Sequence, residues 1–420
     1  MSAGQTSDAI QNHRPRAARA AVAALFLTNG ALFSNIVPRY PEIKDDLGLS
    51  NGALGSAIAA FPLGALLVGL LAAPIIARYR SARVATGGML LLAIAILLVA
   101  AAPTWGILAA VLFLAGGLDA IIDVAQNAHG LRVQRLYRRS IVNSFHGLWS
   151  IGAVTGGVMG SVAAGLSVPL VAHLAGAALL FSAVVVGSYR FLLTGPDSLE
   201  RAIDAELVAA ADGHSSSPTP TRRGLRGVDR TLAKVLLALG VLAACGALVE
   251  DAGSSWGAVY LRDELGAAAA TAGLAFVALQ SAMTIGRLFG DRVVDRFGQR
   301  TVVRVGGAIA ATGIGIALAV PSTPMTIIGF AVAGLGVATL VPAAMHTADE
   351  LRGLPDGAGL TIVSWLLRVG FLVSPPIVGI VADVSSLRVG LLSVVFAGLL
   401  VVIVGRILVN ERAPRAADRA

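Results

Sequence analysis

Charge is scarce in this sequence: Asp, Glu, Lys and Arg make up 13% of 420 residues, against 56% hydrophobic. A water-soluble fold needs far more polar side chains to cover its surface, so that class is excluded. Cysteine is nearly absent. Cys245, alone inside an apolar run, rules out an intramolecular disulfide and reads as a small core residue. Missing too are a Walker-type phosphate loop, a cluster with metal-ligand spacing and a nucleophile motif. An ATP-driven pump or a membrane enzyme would need one of these, so no enzyme activity, cofactor or metal is expected. No cleavable signal peptide is evident either: His13, Arg14, Arg16 and Arg19 precede an apolar run too long for an h-region. That run reads as an uncleaved first span.

What is present is hydrophobic length. The mean hydropathy is +0.80, and the apolar residues fall in blocks of the ~20 residues that a helix needs to cross a bilayer. Inside lipid every backbone donor and acceptor must be satisfied within the segment, which makes these blocks helices. The blocks lack the alternation of a membrane β-barrel. The expected spans are 17–38, 51–76, 84–102, 105–128, 141–164, 168–192, 231–252, 270–291, 301–320, 324–346, 358–382 and 386–409. One long polar stretch, 193–230, carries Ser215-Ser216-Ser217-Pro218-Thr219-Pro220 and then Arg222, Arg223 and Arg226. Its composition is that of a flexible linker. The expected domains are therefore a tail 1–16, a six-helix bundle 17–192, the linker 193–230, a second bundle 231–409 and a tail 410–420.

Positive charge orients the chain. The formal net charge is +8, but the basic residues sit in short loops rather than on one nucleic-acid-binding face. Arg78, Arg80 and Arg83, then Arg132, Arg135, Arg138 and Arg139, then Arg292, Arg296, Arg300 and Arg304 all fall on the side of the N-terminus. The positive-inside rule makes that side cytoplasmic, with both termini and the linker on it. The loop with Asp349, Glu350, Arg352 and Asp356 is acidic, but acidic residues weigh little in the rule. The expected setting is a bacterial inner membrane, with the lipid bilayer, protons and a small solute as partners, no nucleic acid, and a monomeric chain.

The two halves repeat. Gly30-Ala31-Leu32 returns as Gly246-Ala247-Leu248, and Lys44-Asp45-Asp46-Leu47-Gly48 as Arg262-Asp263-Glu264-Leu265-Gly266. Arg78-Tyr79 matches Arg296-Phe297 and His129 matches His346, all at offsets of 216 to 218 residues. A parallel repeat of six spans predicts an all-α membrane fold of two six-helix bundles related by a pseudo-two-fold axis, with a site between them near midplane.

These features together resemble the major facilitator superfamily over nearly the whole chain, from about Ala17 to Val409. The family's loop motif appears as Asp295-Arg296-Phe297-Gly298-Gln299-Arg300. Its usual place after span two holds Ala77-Arg78-Tyr79-Arg80-Ser81-Ala82-Arg83, without the Asp or the Gly. The resemblance implies a cytoplasmic latch involving Arg78, Asp295, Arg296, Gly298 and Arg300, weakened in the first half because Ala77 replaces the carboxylate. Asn143-Ser144-Phe145-His146-Gly147-Leu148-Trp149-Ser150 resembles span five of the bacterial fucose-permease and YbjJ-like branch. Drug/proton antiporters carry a Gly-Pro pair there; 152–160 has no proline.

Polar residues inside spans are costly and mark functional positions. Asp119, Asp123 and Asn127, at i, i+4 and i+8, form one stripe on span four. Desolvation disfavours a charged carboxylate, which suits reversible protonation, and the resembling sugar–proton symporters use a span-four carboxylate in that way. Asp119 and Asp123 are thus the expected proton-coupling residues, with a fixed interhelical bond as the alternative. Those symporters also use an acid in span one, where this chain has Asn29 and Asn35. The remaining candidates for substrate contact are Asn127, His146, Trp149, Glu250, Asp251, Gln280, Trp365 and Arg368. Arg368 requires an anion, either Asp119 or Asp123 across the halves or an anionic substrate. Glu250 and Asp251 are placed at the outer end of span seven, lining a vestibule or solvated as helix-end charges. Arg287 is expected to join Asp291 or Asp295. His146 is either a proton relay or a packing residue, and the two tryptophans are stacking walls or core. Gly152, Gly156 and Gly160 form a small-residue face for close helix approach. The functional expectation is a secondary transporter taking up a small polar, sugar-like solute with protons by symport. The alternatives are an exporter of drugs or metabolites and a ligand sensor without translocation.

Overall fold

The structure, a computed structural model, describes residues 3–137, 140–195, 197, 230–351, 354–355 and 357–408. Most of the expected linker, the C-terminal tail, Arg138, Arg139, Arg352 and Asp356 lie outside the described residues. Among those described, twelve helical segments are long and apolar enough to cross a bilayer. They are spans one to twelve: Pro15–Asp46, Asn51–Tyr79, Ser81–Val99, Trp105–Tyr137, Val142–Gly165, Leu170–Tyr189, Arg230–Glu264, Ala269–Phe297, Gln299–Ala319, Thr323–Asp349, Ala358–Val384 and Leu387–Ile407.

Two spans outrun the apolar runs that announced them. Span one passes through a short 3-10 turn at Val37–Arg39 into a helix over Tyr40–Asp46. Pro38 and Pro41 each occupy the first turn of their segment, where the missing N–H costs nothing. Span seven was expected to stop at 252, but the helix continues through π-helical turns at Ala252–Trp256 and Tyr260–Glu264. Its polar residues ended the hydropathy signal without ending the helix, because this section is buried against the other half rather than facing lipid. The first helix also starts at Ala3, so the stretch read as a tail is helical.

The repeat seen in the sequence governs the packing. Span one packs on five as seven does on eleven, two on four as eight on ten, and three on six as nine on twelve. The two most extensive contacts between the halves exchange under the same symmetry: span two with eleven, and span five with eight. Spans one and five approach closely. A Cβ at Gly152 would lie 2.0 Å from the Leu27 carbonyl oxygen, and one at Gly156 2.3 Å from that of Ala31. The small-residue face is therefore what lets these two backbones touch. Outward-facing positions carry apolar side chains such as Leu91, Leu179, Val186, Phe289 and Phe396, a surface suited to lipid rather than water.

The side of the molecule that holds the ends of spans one and twelve nearest the termini is called the terminal side, and the opposite one the distal side. On the distal side the halves meet in a continuous seam. Lys44 pairs with Asp263 at 2.5 Å, and Asp383 accepts from the backbone N–H of Asn51 at 2.8 Å and of Gly52 at 2.7 Å. Trp256, fully buried, lies against Gly55 of span two and Gly379 of span eleven. Gly273 packs on Ser161 and Pro38 of the other half. Glu264 reinforces the same side by accepting from the N–H of Leu387. Bonds on the terminal side stay within one half among the described residues. Asp197 accepts from the Ser81 N–H and hydroxyl, both at 2.7 Å, and from Arg132 at 2.5 Å. Gln299 donates to the Ala343 carbonyl at 3.0 Å. Among the described residues, then, the halves are bonded to each other on the distal side and not on the terminal side.

Candidate functional site between the halves

A group of polar side chains gathers at mid-span where the halves part. Asn29 of span one is its hub: its amide donates to Asp119 of span four at 2.8 Å, and its carbonyl oxygen accepts from the Trp149 indole of span five at 2.7 Å. Three spans of the first half are thus tied by one buried side chain, which fixes the Asp119 carboxylate toward the gap. One turn on, Asn127 donates to the Asp123 carboxylate at 2.9 Å. The i, i+4, i+8 stripe therefore forms as expected, and Trp149 is an anchoring donor whose indole N–H is already engaged.

His146 is exposed although it lies well inside span five, so it faces the gap rather than packed helices. It sits edge-on to Phe26 at 5.2 Å, within electrostatic reach of Asp123 in its own half and of Arg287 in the other. Across the gap, Arg287 pairs with Glu250 at 3.6 Å. This corrects two expectations. Arg287 joins span seven rather than Asp291 or Asp295, and Glu250 lies in the middle of a span that runs on to Glu264, not in a vestibule at its end. Arg368, partly exposed, has no ion-pair or hydrogen-bond partner among the described residues, yet its charge acts on both Asp119 and Asp123. A guanidinium that cannot shed its charge thus stands opposite two carboxylates, close enough for Coulomb attraction and clear of direct contact.

Four other expected contacts lie elsewhere. Asn35 is fully buried in the distal part of the first half. Its amide donates to the Ala31 carbonyl at 2.8 Å, and its carbonyl oxygen meets His173 Nε2 at 2.9 Å. Arg39, which can only donate, approaches His173 Nδ1 at 3.3 Å and also holds Glu42 and the Val168 carbonyl. His173 Nδ1 must therefore accept, leaving Nε2–H to donate to Asn35. With both amide ends committed, Asn35 has nothing left for a solute. Asp251 is buried at the seam rather than solvated at a helix end. Gln280 is buried within span eight. Trp365 is half-exposed and starts a row with Val369, Val373, Ile377, Ile380 and Val384, an apolar outer face rather than a wall beside Arg368.

The loop motifs show one backbone solution executed twice. Gly298 opens span nine at φ +81° and ψ +146°; Arg80 opens span three at φ +72° and ψ +148°. The conformation suits glycine and strains an L side chain, so the first half keeps the turn without the residue that makes it easy. Arg78 and Arg296 lie over the rings of their neighbours Tyr79 and Phe297, at 5.6 and 5.5 Å. Asp295 is exposed and without a partner among the described residues. The sequence did not announce a second group, at the start of span three: Ser81, Arg132 and Asp197, with His129 Nδ1 at 2.9 Å from the Ser81 hydroxyl.

Twelve spans in two packed halves, with a polar group between them and closure on one side only, define a membrane transporter. Residues 22–250 and 236–420 match the Major Facilitator Superfamily, and the chain belongs to that family. An uncharacterized transporter of Sinorhizobium fredii, y4wD, is 28% identical over 385 residues, 91% of this chain and 96% of the relative. Among solved structures, the nucleoside transporter NupG shares the fold at a TM-score of 0.72 and 13% identity, covering 93% of this chain and 98% of its own. A bacterial homologue of the human lysosomal transporter Spinster, in an inward-facing, unoccupied conformation, aligns at 0.71 and 15% identity, covering 96% and 99%.

Proposed function

We propose that the protein is a secondary active transporter that moves a small polar, sugar-like solute by alternating access, in symport with protons carried by Asp119, Asp123 or both. The carrying observation is the bonded chain Trp149–Asn29–Asp119, with Asp123 one turn away and Arg368 opposite. It presents two carboxylates to a gap between halves that can rock. A purely structural carboxylate would be paired with a cation; here the facing arginine stands clear, and among the described residues the side chains bonded to the two acids are amides. Protonation then needs no ion pair to break. The asparagines of span one do not titrate, so coupling rests on span four.

In this reading the terminal side is the cytoplasm of a bacterial cell, as the arginine-rich loops favour, and the state described is inward-facing. Asn127, His146, Glu250 and Arg368 line the path of the solute. Arg78, Asp295, Arg296, Gly298 and Arg300 belong to a latch that is disengaged while this side is open, which fits the solitary Asp295. The test is solute flux into proteoliposomes under an imposed pH gradient. Asp119→Asn or Asp123→Asn should abolish pH-driven accumulation and leave counterflow. Unchanged pH-driven flux in both variants and in the double variant would refute the coupling.

A further inference from the structure

Asp251 is the most buried of the carboxylates in the spans, and the central site makes no use of it. Its side chain is 7% exposed. One oxygen, Oδ1, accepts from the Ser255 hydroxyl at 2.7 Å, and Oδ2 has no partner. Ser374 of span eleven faces it with a buried hydroxyl, near enough to act on it as a hydrogen-bonding group. Tyr40 of span one acts on it from the other half of the molecule. Asp251 therefore lies at the seam that closes the distal side, on a helix with a π-helical turn immediately after it, a feature common at functional sites.

The seam around it is unlike a permanent core. Trp256 Nε1, the Tyr260 hydroxyl and Asn51 Oδ1 are also buried without partners. Each such group is disfavoured relative to a hydrated one, and parting of the halves would return water to it. A carboxylate in this setting is a worse case still: ionised, it is a buried charge with hydroxyl neighbours but no cation paired to it among the described residues. Carboxylic acid form removes that charge and supplies an O–H that Ser374 can accept.

We infer that Asp251 is the proton-binding residue of the outer gate, taking up one proton as the distal side closes and releasing it as that side opens. The inference rests on alternating access and on the distal side being the outside, but not on Asp119 or Asp123 being the coupling residues. The groups that act on Asp251 are Tyr40 and Ser374, both uncharged at neutral pH, and Glu250, whose charge is engaged by Arg287. The sign follows directly. The closed state binds the proton more tightly, so lowering the pH favours closure and raising it favours opening. One proton per closure changes the closed-to-open ratio about tenfold per pH unit in the working window. Asp263 and Asp383 hold the seam by an ion pair and two backbone N–H bonds.

The experiment uses full-length protein in lipid nanodiscs, with Cys245→Ser and labels on Asp46→Cys and Ala268→Cys, reading the distal distance distribution from pH 5.5 to 9. Wild type should pass from closed to open as pH rises, by about tenfold per unit. Asp251→Asn, and Asp251→Ser as a smaller neutral replacement, should stay closed throughout. Asp119→Asn and Asp123→Asn retain Asp251 and should still close as pH falls even where pH-driven flux is lost, which separates this gate from the coupling proposal. A slope surviving in both Asp251 variants, no slope in wild type, or closure that follows sodium at fixed pH would overturn the inference.

Discussion

Asp383 offers the sharpest test of what holds the distal side shut. It projects from the end of span eleven in the second half and accepts two backbone N–H bonds, 2.8 and 2.7 Å, at the start of span two in the first. A carboxylate there meets the positive end of a helix and two donors that the helix leaves unused. In a sheltered site one such charge-assisted bond contributes ~1.5–3 kcal/mol. Asp383 is exposed, so solvent screens it, and the helix-terminus value of ~0.3–1 kcal/mol is the better guide. Asp383→Asn keeps one acceptor oxygen and loses the charge and the second. The expected cost to the closed seam is about 1 kcal/mol, a roughly fivefold shift toward the distally open form. Gly52→Ala should act the same way, because its Cβ would lie 2.8 Å from the Asp383 carboxylate. Distance distributions between distal labels measure the shift, with thermal unfolding as the control for global damage. If Asp383→Asn and Asp383→Ala leave the distribution where it was, or move it toward closure, the capping argument fails.

Gly152→Ala should lower the thermal stability by about 1–3 kcal/mol or prevent folding, since its new Cβ would sit 2.0 Å from the Leu27 carbonyl oxygen; detergent-stability assays check it. Arg80→Gly should do the opposite, raising stability by about 1 kcal/mol as the strain of φ +72° is relieved, readable as a higher unfolding temperature. Asp197→Ala removes the carboxylate that pairs with the buried Arg132 guanidinium and accepts from the Ser81 N–H, a loss of about 3 kcal/mol for a broken buried pair, visible in the same assay. Asn29→Ala removes both bonds that fix Asp119 and Trp149, and pH-driven flux should fall about tenfold, as expected for ~1.4 kcal/mol, while protein yield holds.

The spans were legible because lipid imposes one rule, hydrophobic length, that any reader of the sequence can apply. The rule fails where protein replaces lipid. Residues 38–46 and 252–264 look like loops by hydropathy, yet they are helix buried at the seam, with Arg39, Tyr40, Ser255 and Tyr260 among the hidden side chains. The close crossing of spans one and five was legible too, since glycine at every fourth position has few other uses in a span. At the polar centre the sequence singled out Asn29, Asp119 and Trp149 separately. That one amide joins the other two across 90 and 120 positions of chain could not be read from spacing. Asp197 was missed because it lies where the chain turns polar after span six. A signal was available: with the loop carboxylate replaced by Ala77, another acid had to hold the N-terminus of span three.

The two halves use that principle differently, and the difference bears on which side moves. In the first half Ser81, His129, Arg132 and Asp197 tie the ends of spans three and four together with buried, charged bonds. In the second half Gln299 reaches the end of span ten through an amide, 3.0 Å from the Ala343 carbonyl and 3.3 Å from the Thr347 hydroxyl. Neutral bonds of that kind are individually weaker than charge-assisted ones, although Arg304 of span nine also donates to the Val402 carbonyl of span twelve at 2.9 Å. The ends of spans three and four are thus joined by charge, whereas Gln299 joins span nine to span ten through an amide. The distal seam lies between these extremes: its ion pair and helix cap are near solvent, and its buried indole, phenol and carboxylate lack partners. Packing of Trp256 against Gly55 and Gly379 favours closure while the unbonded polar atoms oppose it. Terms of opposite sign and similar size leave a small net preference, which is the condition for a joint that opens and closes on proton or solute binding rather than one that is welded shut.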